Sequence, residues 1–324
     1  MLVKSTSGNT FTIHTPYIYS INHEPPPNCP FPDIYQPNTA SGIGHAVAVA
    51  LSQRPDWQVY IVGSNEERGR KAVEGQSDIH FHKANVSQYQ ELALAFHEIH
   101  GKHGRLDFVF VNAGATESCN ILQAEGADAN TPPPEPDLTV VDVNVKGVLY
   151  TSYLATHYFR FSPHKGKDAS LVITGSCGSL YPFKVTPTYC GTKRALSSPS
   201  MYSVLHINNP VDNVVGFTRS IALRCKEEGI RVNALCPGIV RTGLVSDEFW
   251  DTYFKPEQFC PMELMVKVTL LLVDGSEIVD SNGKKVSAGE MYGQTLETSG
   301  SNFYLREHLE FCDDIAKSVM VGAN

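Results

Sequence analysis

Leu106-Asp107-Phe108-Val109-Phe110-Val111-Asn112-Ala113-Gly114 carries the reading of the fold. Residues 106–111 form an apolar run of β-forming side chains that stops at an Asn-Ala-Gly turn. Such a run suits a strand buried on both faces rather than one with a wet side. The same unit recurs to either side. Upstream, residues 57–62 and 78–82 read as strands, and residues 66–73 and 88–100 as helices. Downstream, residues 138–161 read as one long helix, entered after Thr131-Pro132-Pro133-Pro134-Glu135-Pro136. Residues 170–174 form a second buried strand, and residues 230–235 a third that ends in Cys236-Pro237-Gly238. Strands separated by helices of this length imply an α/β fold, a doubly wound parallel sheet with both faces covered. In such sheets ligands bind at the carboxyl ends of the strands. Asn112-Ala113-Gly114, Ser176 and Pro237-Gly238 all fall at that edge.

The chain has 324 residues and a formal net charge of −8. The length is enough for one large α/β domain or two smaller ones, and the even alternation of strands and helices is read as a single domain. The acidic balance, without a Lys/Arg cluster, argues against nucleic acid. No apolar run reaches the ~18 residues needed to cross a membrane. The N-terminus lacks the basic-then-apolar pattern of a secretory signal, so a cytoplasmic protein is expected. The eight cysteines are scattered without a C-x-x-C pair, which suits reduced thiols and predicts no metal site. Cys177 and Cys190 flank the site residues below, where packing is the simpler role for both.

Tyr189 and Lys193 stand four apart in Tyr189-Cys190-Gly191-Thr192-Lys193, with Ser176 thirteen residues before the tyrosine. Residues four apart share a helix face. A cation beside the phenol is expected to favour phenolate and pull the tyrosine toward the working pH. Ser176, in the turn after residues 170–174, can point at the same spot and hold a carbonyl or alcohol oxygen. The spacing alone would arise about once by chance in a chain of this length; the other motifs give it weight. Ser41-Gly42-Ile43-Gly44 opens an apolar helix at residues 45–51, where glycines let a dinucleotide pyrophosphate reach the backbone N–H groups.

Together these residues resemble the short-chain dehydrogenase/reductase family over roughly residues 39–318. Gly42-Ile43-Gly44 is similar to the end of the family's cofactor loop, and Asn112-Ala113-Gly114 to its N-A-G strand end. Asn144 falls at the family's structural and catalytic asparagine. Ser176, Tyr189 and Lys193 match its catalytic serine, tyrosine and lysine. Pro237-Gly238-Ile239-Val240-Arg241-Thr242 matches the P-G-x-V-x-T segment at the nicotinamide end. Residues 189–193 and the tail Gly300-Ser301-Asn302-Phe303-Tyr304 look most like the 15-hydroxyprostaglandin-dehydrogenase-like branch.

The resemblance implies a Rossmann fold and hydride transfer between a nicotinamide and a secondary alcohol or ketone. Tyr189 would exchange the proton, and Lys193 would tune it and hold the ribose hydroxyls. Ser176 would orient the substrate oxygen, and Asn144 would hold a water linking Lys193 to solvent or serve only to brace its helix. The expected cofactor contacts are Gly42, Ile43, Gly44, Ser64, Asn65, Asn85, Val86, Asn112, Ala113, Gly114, Tyr189, Lys193, Pro237, Gly238, Ile239 and Thr242. Asn112 is equally suited to bracing the strands, and Asn85 stands where the family usually has an Asp. Gly63 takes the place of the acidic residue that bonds the ribose 2′-OH in NAD-preferring members. That favours NADP(H) over NAD(H), with Ser64 and Arg68 or Arg70 near the 2′-phosphate. Leu244, Phe249, Trp250, Tyr253 and Phe254, together with Tyr181 and Phe183, are read as an aromatic lid or core over an apolar substrate.

Two departures qualify the match. Asp33-Ile34-Tyr35-Gln36-Pro37-Asn38 stands where the family has an apolar first strand, and Pro cannot donate to a central ladder. Residues 1–38 are therefore read as an irregular segment, residues 10–21 being rich in β-formers and residues 17–21 the candidate for the missing strand. Second, deleting residues 196–213 joins Ala195 to Val214 and rebuilds a continuous family helix. The extra residues include Pro199 and Pro210 and cannot continue a helix, so they bulge out or end it about a turn after Lys193. Such a seam suits intron sequence read as coding, or a genuine insertion. Because this helix commonly forms the family's dimer interface, the insertion bears on a homodimer or homotetramer. Residues 319–324 are read as a tail. The alternative reading is a catalytically impaired dinucleotide-binding protein, or a poorly folding product of a misassembled gene.

Overall fold

The computed structural model describes residues 2–4, 10–14, 42–55, 57–118, 121–122, 129–195, 214–307 and 310–322. In chain order the strands are β1 (Leu2–Lys4), β2 (Thr10–His14), β3 (Trp57–Gly63), β4 (Ile79–Lys83), β5 (Phe108–Val111), β6 (Ser170–Thr174), β7 (Arg231–Cys236), β8 (Ile278–Val279), β9 (Lys285–Val286), β10 (Thr295–Ser299) and β11 (Asn302–Leu305). The helices are α1 (Ile43–Ser52), α2 (Glu66–Ala72), α3 (Tyr89–His103), α4 (Thr139–Val141), α5 (Val148–Phe161), α6 (Cys177–Leu180), α7 (Pro187–Ala195), α8 (Val214–Lys226), α9 (Asp247–Tyr253), α10 (Met262–Asp274) and α11 (Asp314–Gly322).

Strands β4, β3, β2, β5, β6, β7 and β10 lie side by side in that order and all run parallel. β11 closes one edge antiparallel to β10. Side chains alternate between two helical layers, as a strand period of two requires. Val59, Ile61, Phe108 and Phe110 pack in a core with α1 and α10. Tyr60, Val62, Val109 and Val111 pack in a second core with α3, α5 and α8. Burying both faces explains why these strands read as unbroken apolar runs.

The first strand is where sequence reading and structure part. β2 fills the slot between β3 and β5, with Ile13 in register with both Ile61 and Phe110. Reading residues 1–38 as wholly irregular is therefore corrected: Thr10–His14 supplies a strand between β3 and β5. Its Thr-Phe-Thr-Ile run offers the β-branched and aromatic side chains that a central strand favours. β1 lies antiparallel beside β3 in the same part of the sheet. Residues 17–21, 33–38 and 196–213 lie outside the described residues. The chain thus winds from β2 outward through β3 and β4, then from β5 outward through β6, β7 and β10. The switch point between β2 and β5 opens the crevice that such sheets use for ligands.

A second difference concerns the long helix expected over residues 138–161. Between α4 and α5 the chain makes a π-helical turn, Asp142–Gly147, with Asn144 inside it. Val86 packs so closely on Gly147 that a Cβ there would come within 2.9 Å of it. Turns of this kind are frequent at functional sites.

Candidate active site

Lys193 lies on α7 and is only 3 % exposed. Its Nζ donates to the Thr174 carbonyl, the last residue of β6, at 3.0 Å. An ammonium has three donors; this is the one hydrogen bond made by Lys193 Nζ among the described residues. Burial pulls the Lys193 pKa down to about 8. Lys193 Nζ stands 5.8 Å from the Tyr189 ring centroid. Ser176 caps α6, its Oγ accepting from the Gly178 N–H at 3.0 Å. A Cβ placed on Gly178 would lie 3.4 Å from Ser176 Oγ and 3.7 Å from the Tyr189 ring. The serine and tyrosine therefore face one small space that Gly178 leaves open.

The expected electrostatics are corrected here. Tyr189 is not drawn toward phenolate: its pKa is pushed up, first by burial, with the nearby Cys177, Cys190 and Cys236 adding to the rise and a Ser176 hydrogen bond opposing it. Desolvation outweighs the nearby cation, which is itself desolvated. Cys177 and Cys190 line the same cleft, and burial pushes both thiols up, which favours the protonated thiol over the thiolate.

Asn144 is fully buried. Its Oδ1 accepts from the Ala115 N–H at 2.8 Å, and its Nδ2 donates to the Ala115 carbonyl at 2.9 Å and to Thr192 Oγ1 at 3.0 Å. It ties the loop after β5 to α7. Gly114 lies between Asn144 and the ammonium: a Cβ there would stand 3.5 Å from both Asn144 Oδ1 and Lys193 Nζ. Asn112 accepts from Thr174 Oγ1 at 3.0 Å and so braces β5 against β6 while also lining the cleft.

These groups border one open cleft. Ile43, Asn112, Gly114, Ser176, Tyr189, Lys193, Pro237, Gly238, Ile239 and Thr242 line it, so the structure brings together most of the expected site. Gly42 and Gly44 sit at the start of α1, beside Ile43, and Ala113 is buried beside Asn112. Ser64, Asn65, Asn85 and Val86 do not line this cleft; they follow β3 and β4. Asn65 caps α2, accepting from the Arg68 N–H at 2.9 Å. Asn85 accepts from Ser87 N and Oγ, both at 2.8 Å, and thus shapes the turn before α3. Val86 is buried against Gly147.

Much of the remaining lining is apolar: Phe183, Val245, Phe249, Trp250 and Phe254. Trp250 is anchored by its Nε1–H to the Thr242 carbonyl at 3.1 Å. Leu244 and Tyr181 also face the cleft, whereas Tyr253 does not line it. Sequence reading missed two features. Arg241 pairs with Asp247 at 3.0 Å and with Asp251, joining the loop after β7 to α9. Glu117 reaches α7 from the loop after β5. Neither pairing leaves a signature in local spacing.

A family model described as short chain dehydrogenase matches residues 38–203. A relative, short-chain dehydrogenase/reductase prx7 of Penicillium rubens, is 44 % identical over 86 % of this chain and 95 % of its own length. The chain belongs to the short-chain dehydrogenase/reductase family. It is therefore an NAD(P)-dependent oxidoreductase acting on CH–OH groups. Prx6 of the same fungus is 34 % identical over 70 % of each chain. Human 15-hydroxyprostaglandin dehydrogenase [NAD(+)] is more distant, at 28 % identity over 64 % of this chain and 67 % of its own. Among solved structures, an actinorhodin polyketide ketoreductase variant with NADPH superposes with a TM-score of 0.58 at 20 % identity, covering 80 % of this chain and 92 % of its own. That likeness concerns the fold. Among the described residues, no helix is long and apolar enough to cross a membrane.

The dinucleotide family fits this site. A buried ammonium with donors to spare suits ribose hydroxyls, and the glycines at Gly42, Gly44 and Gly114 keep the approach low.

Proposed function

We propose that this protein interconverts a secondary alcohol and a ketone on an apolar small molecule, with NADP(H) as the preferred cofactor. The observation that carries the reading is one cleft lined both by Ser176, Tyr189 and Lys193 and by Phe183, Phe249, Trp250 and Phe254. The nicotinamide, when bound, supplies or accepts the hydride. Ser176 Oγ holds and polarises the substrate oxygen. Tyr189 gives that oxygen its proton in reduction and takes it back in oxidation; its raised pKa keeps the phenol protonated and ready to donate. Lys193 binds ribose hydroxyls and supplies positive charge beneath the phenol. Asn144 fixes the distance between the loop after β5 and α7. The aromatic wall excludes water and binds by apolar area, so the substrate is a largely hydrocarbon ketone or alcohol. Phe249→Ala and Trp250→Ala are each expected to raise KM about tenfold across a panel of aliphatic methyl ketones and bicyclic ketones. An unchanged KM throughout the panel would show that this wall does not touch substrate.

The cofactor preference rests on Gly63, Ser64 and Arg68. No carboxylate stands at Gly63 to repel a 2′-phosphate. Arg70 is already paired with Glu66 at 2.7 Å, whereas the Arg68 guanidinium has no partner among the described residues. Arg68 is thus the cation free to meet the phosphate. NADPH is expected to bind at least tenfold tighter than NADH, about 1.4 kcal/mol. Arg68→Ala should remove most of that margin. The measurement is fluorescence titration of both dinucleotides, and tenfold tighter NADH binding would reverse the assignment.

A further inference from the structure

The described part of the helix that carries Tyr189 and Lys193 is short. α7 has nine residues, and the next described helix begins at Val214. Helices of this length are marginal on their own, because the first turn fixes several residues for few hydrogen bonds. Its first residue, Pro187, has no N–H to satisfy, but Thr188 and Tyr189 have orphan donors in the first turn. Those donors are met from far away in the chain. Glu117 Oε2 accepts from the Tyr189 N–H at 2.5 Å across 72 residues of sequence, and Thr188 also donates to this carboxylate. Glu117 is 8 % exposed. A buried carboxylate is costly unless it is hydrogen-bonded. At a helix N-terminus it also meets the positive end of the dipole.

Glu117 lies three residues beyond Gly114 in the loop that Asn144 holds by Ala115. The loop therefore grips α7 twice: through Asn144 at Thr192 and through Glu117 at Tyr189. We infer that Glu117 is a positioning residue for this reaction: its carboxylate holds the first turn of α7 and thereby sets the Tyr189 hydroxyl against Ser176. Glu117 touches neither the cleft nor the reacting atoms, and it acts through Tyr189. The inference rests on the reading of Tyr189 as the proton donor.

Its test compares Glu117→Ala, Glu117→Gln and Glu117→Asp, with Tyr189→Phe beside them, using the fastest ketone of the panel above and NADPH. Glu117→Ala is expected to lower kcat at least tenfold while KM for NADPH stays within threefold. Glu117→Gln keeps an acceptor oxygen at the same reach and should return kcat to within threefold of the parent. Glu117→Asp keeps the charge but falls one methylene short, and should resemble Ala. Wild-type kcat in Ala and Asp variants that melt cooperatively would overturn the inference. If the Ala variant does not fold, the Gln and Asp variants decide it by the same comparison. Turnover retained in Tyr189→Phe would instead remove the reading of Tyr189, so the two failures are separable.

Discussion

Tyr189→Phe is expected to lower kcat by about 10³-fold, about 4 kcal/mol in the barrier, while leaving the NADPH-induced rise in melting temperature within a degree or so of the parent. The substitution removes one oxygen. The ring stays, and with it the contacts that seat Tyr189 on α7 beside Cys190 and the Lys193 stem. In the proposed mechanism the lost oxygen is the group that exchanges a proton with the substrate. Ser176 can polarise the substrate oxygen but has no acidic proton of comparable strength. The raised Tyr189 pKa gives the effect a direction: the neutral phenol dominates at working pH, so reduction, which consumes its proton, should be at least as sensitive as oxidation. The measurement is steady-state reduction and oxidation with a thermal shift on the same samples. Turnover within tenfold of the parent would remove Tyr189 from its role.

Lys193→Met should abolish turnover and, without cofactor, alter how stability depends on pH. Burial pulls Lys193 in the folded protein down to about 8 from the ordinary lysine value of 10.5. The folded state therefore binds fewer protons than the unfolded state between those two values, and stability from this residue rises with pH through that window. Below about pH 8 the full cost of burying the ammonium is present, of order 3 kcal/mol; above about pH 10.5 it is gone. Methionine has a similar unbranched stem and no charge, so it escapes that cost but leaves the Thr174 carbonyl without its donor, which costs about 1 kcal/mol at every pH. The stability of the parent relative to Lys193→Met should thus improve by about 3 kcal/mol between pH 7 and pH 10.5. Urea melts of both proteins across that range would measure it, and parallel pH curves would show that Lys193 is not desolvated. NADPH, by giving the ammonium partners, should shrink the parent's disadvantage at pH 7, which links stability to cofactor retention.

Much of this protein is legible one segment at a time. β3, β5, β6 and β7 could be read because each is buried on both faces, which forces an unbroken apolar run. The serine, tyrosine and lysine could be placed because their spacing follows from one helix period and one strand end. The first strand was harder to place, since Thr10–His14 carries β-forming residues far from the glycine turn that a first strand normally enters. Placing it depends on finding partners on both sides, and β3 and β5 together supply them. The lid aromatics were found as a stripe, but which of them face the cleft required the fold: Phe249 and Trp250 line it and Tyr253 does not.

The residue chemistry divides in the same way. The sequence by itself determined the parallel α/β architecture, the family and the candidates for the reacting side chains, because those follow from local periodicity and from motifs read within a few residues. The tertiary structure decided the rest. It set the Tyr189 pKa upward rather than downward, since desolvation is a property of the surroundings and not of the neighbour four residues on. It gave Asn144 its bonds to Ala115 and Thr192, and it brought Glu117 to the Tyr189 amide across 72 residues. Burial and long-range hydrogen bonds depend on which segments meet, and no window of sequence contains both partners.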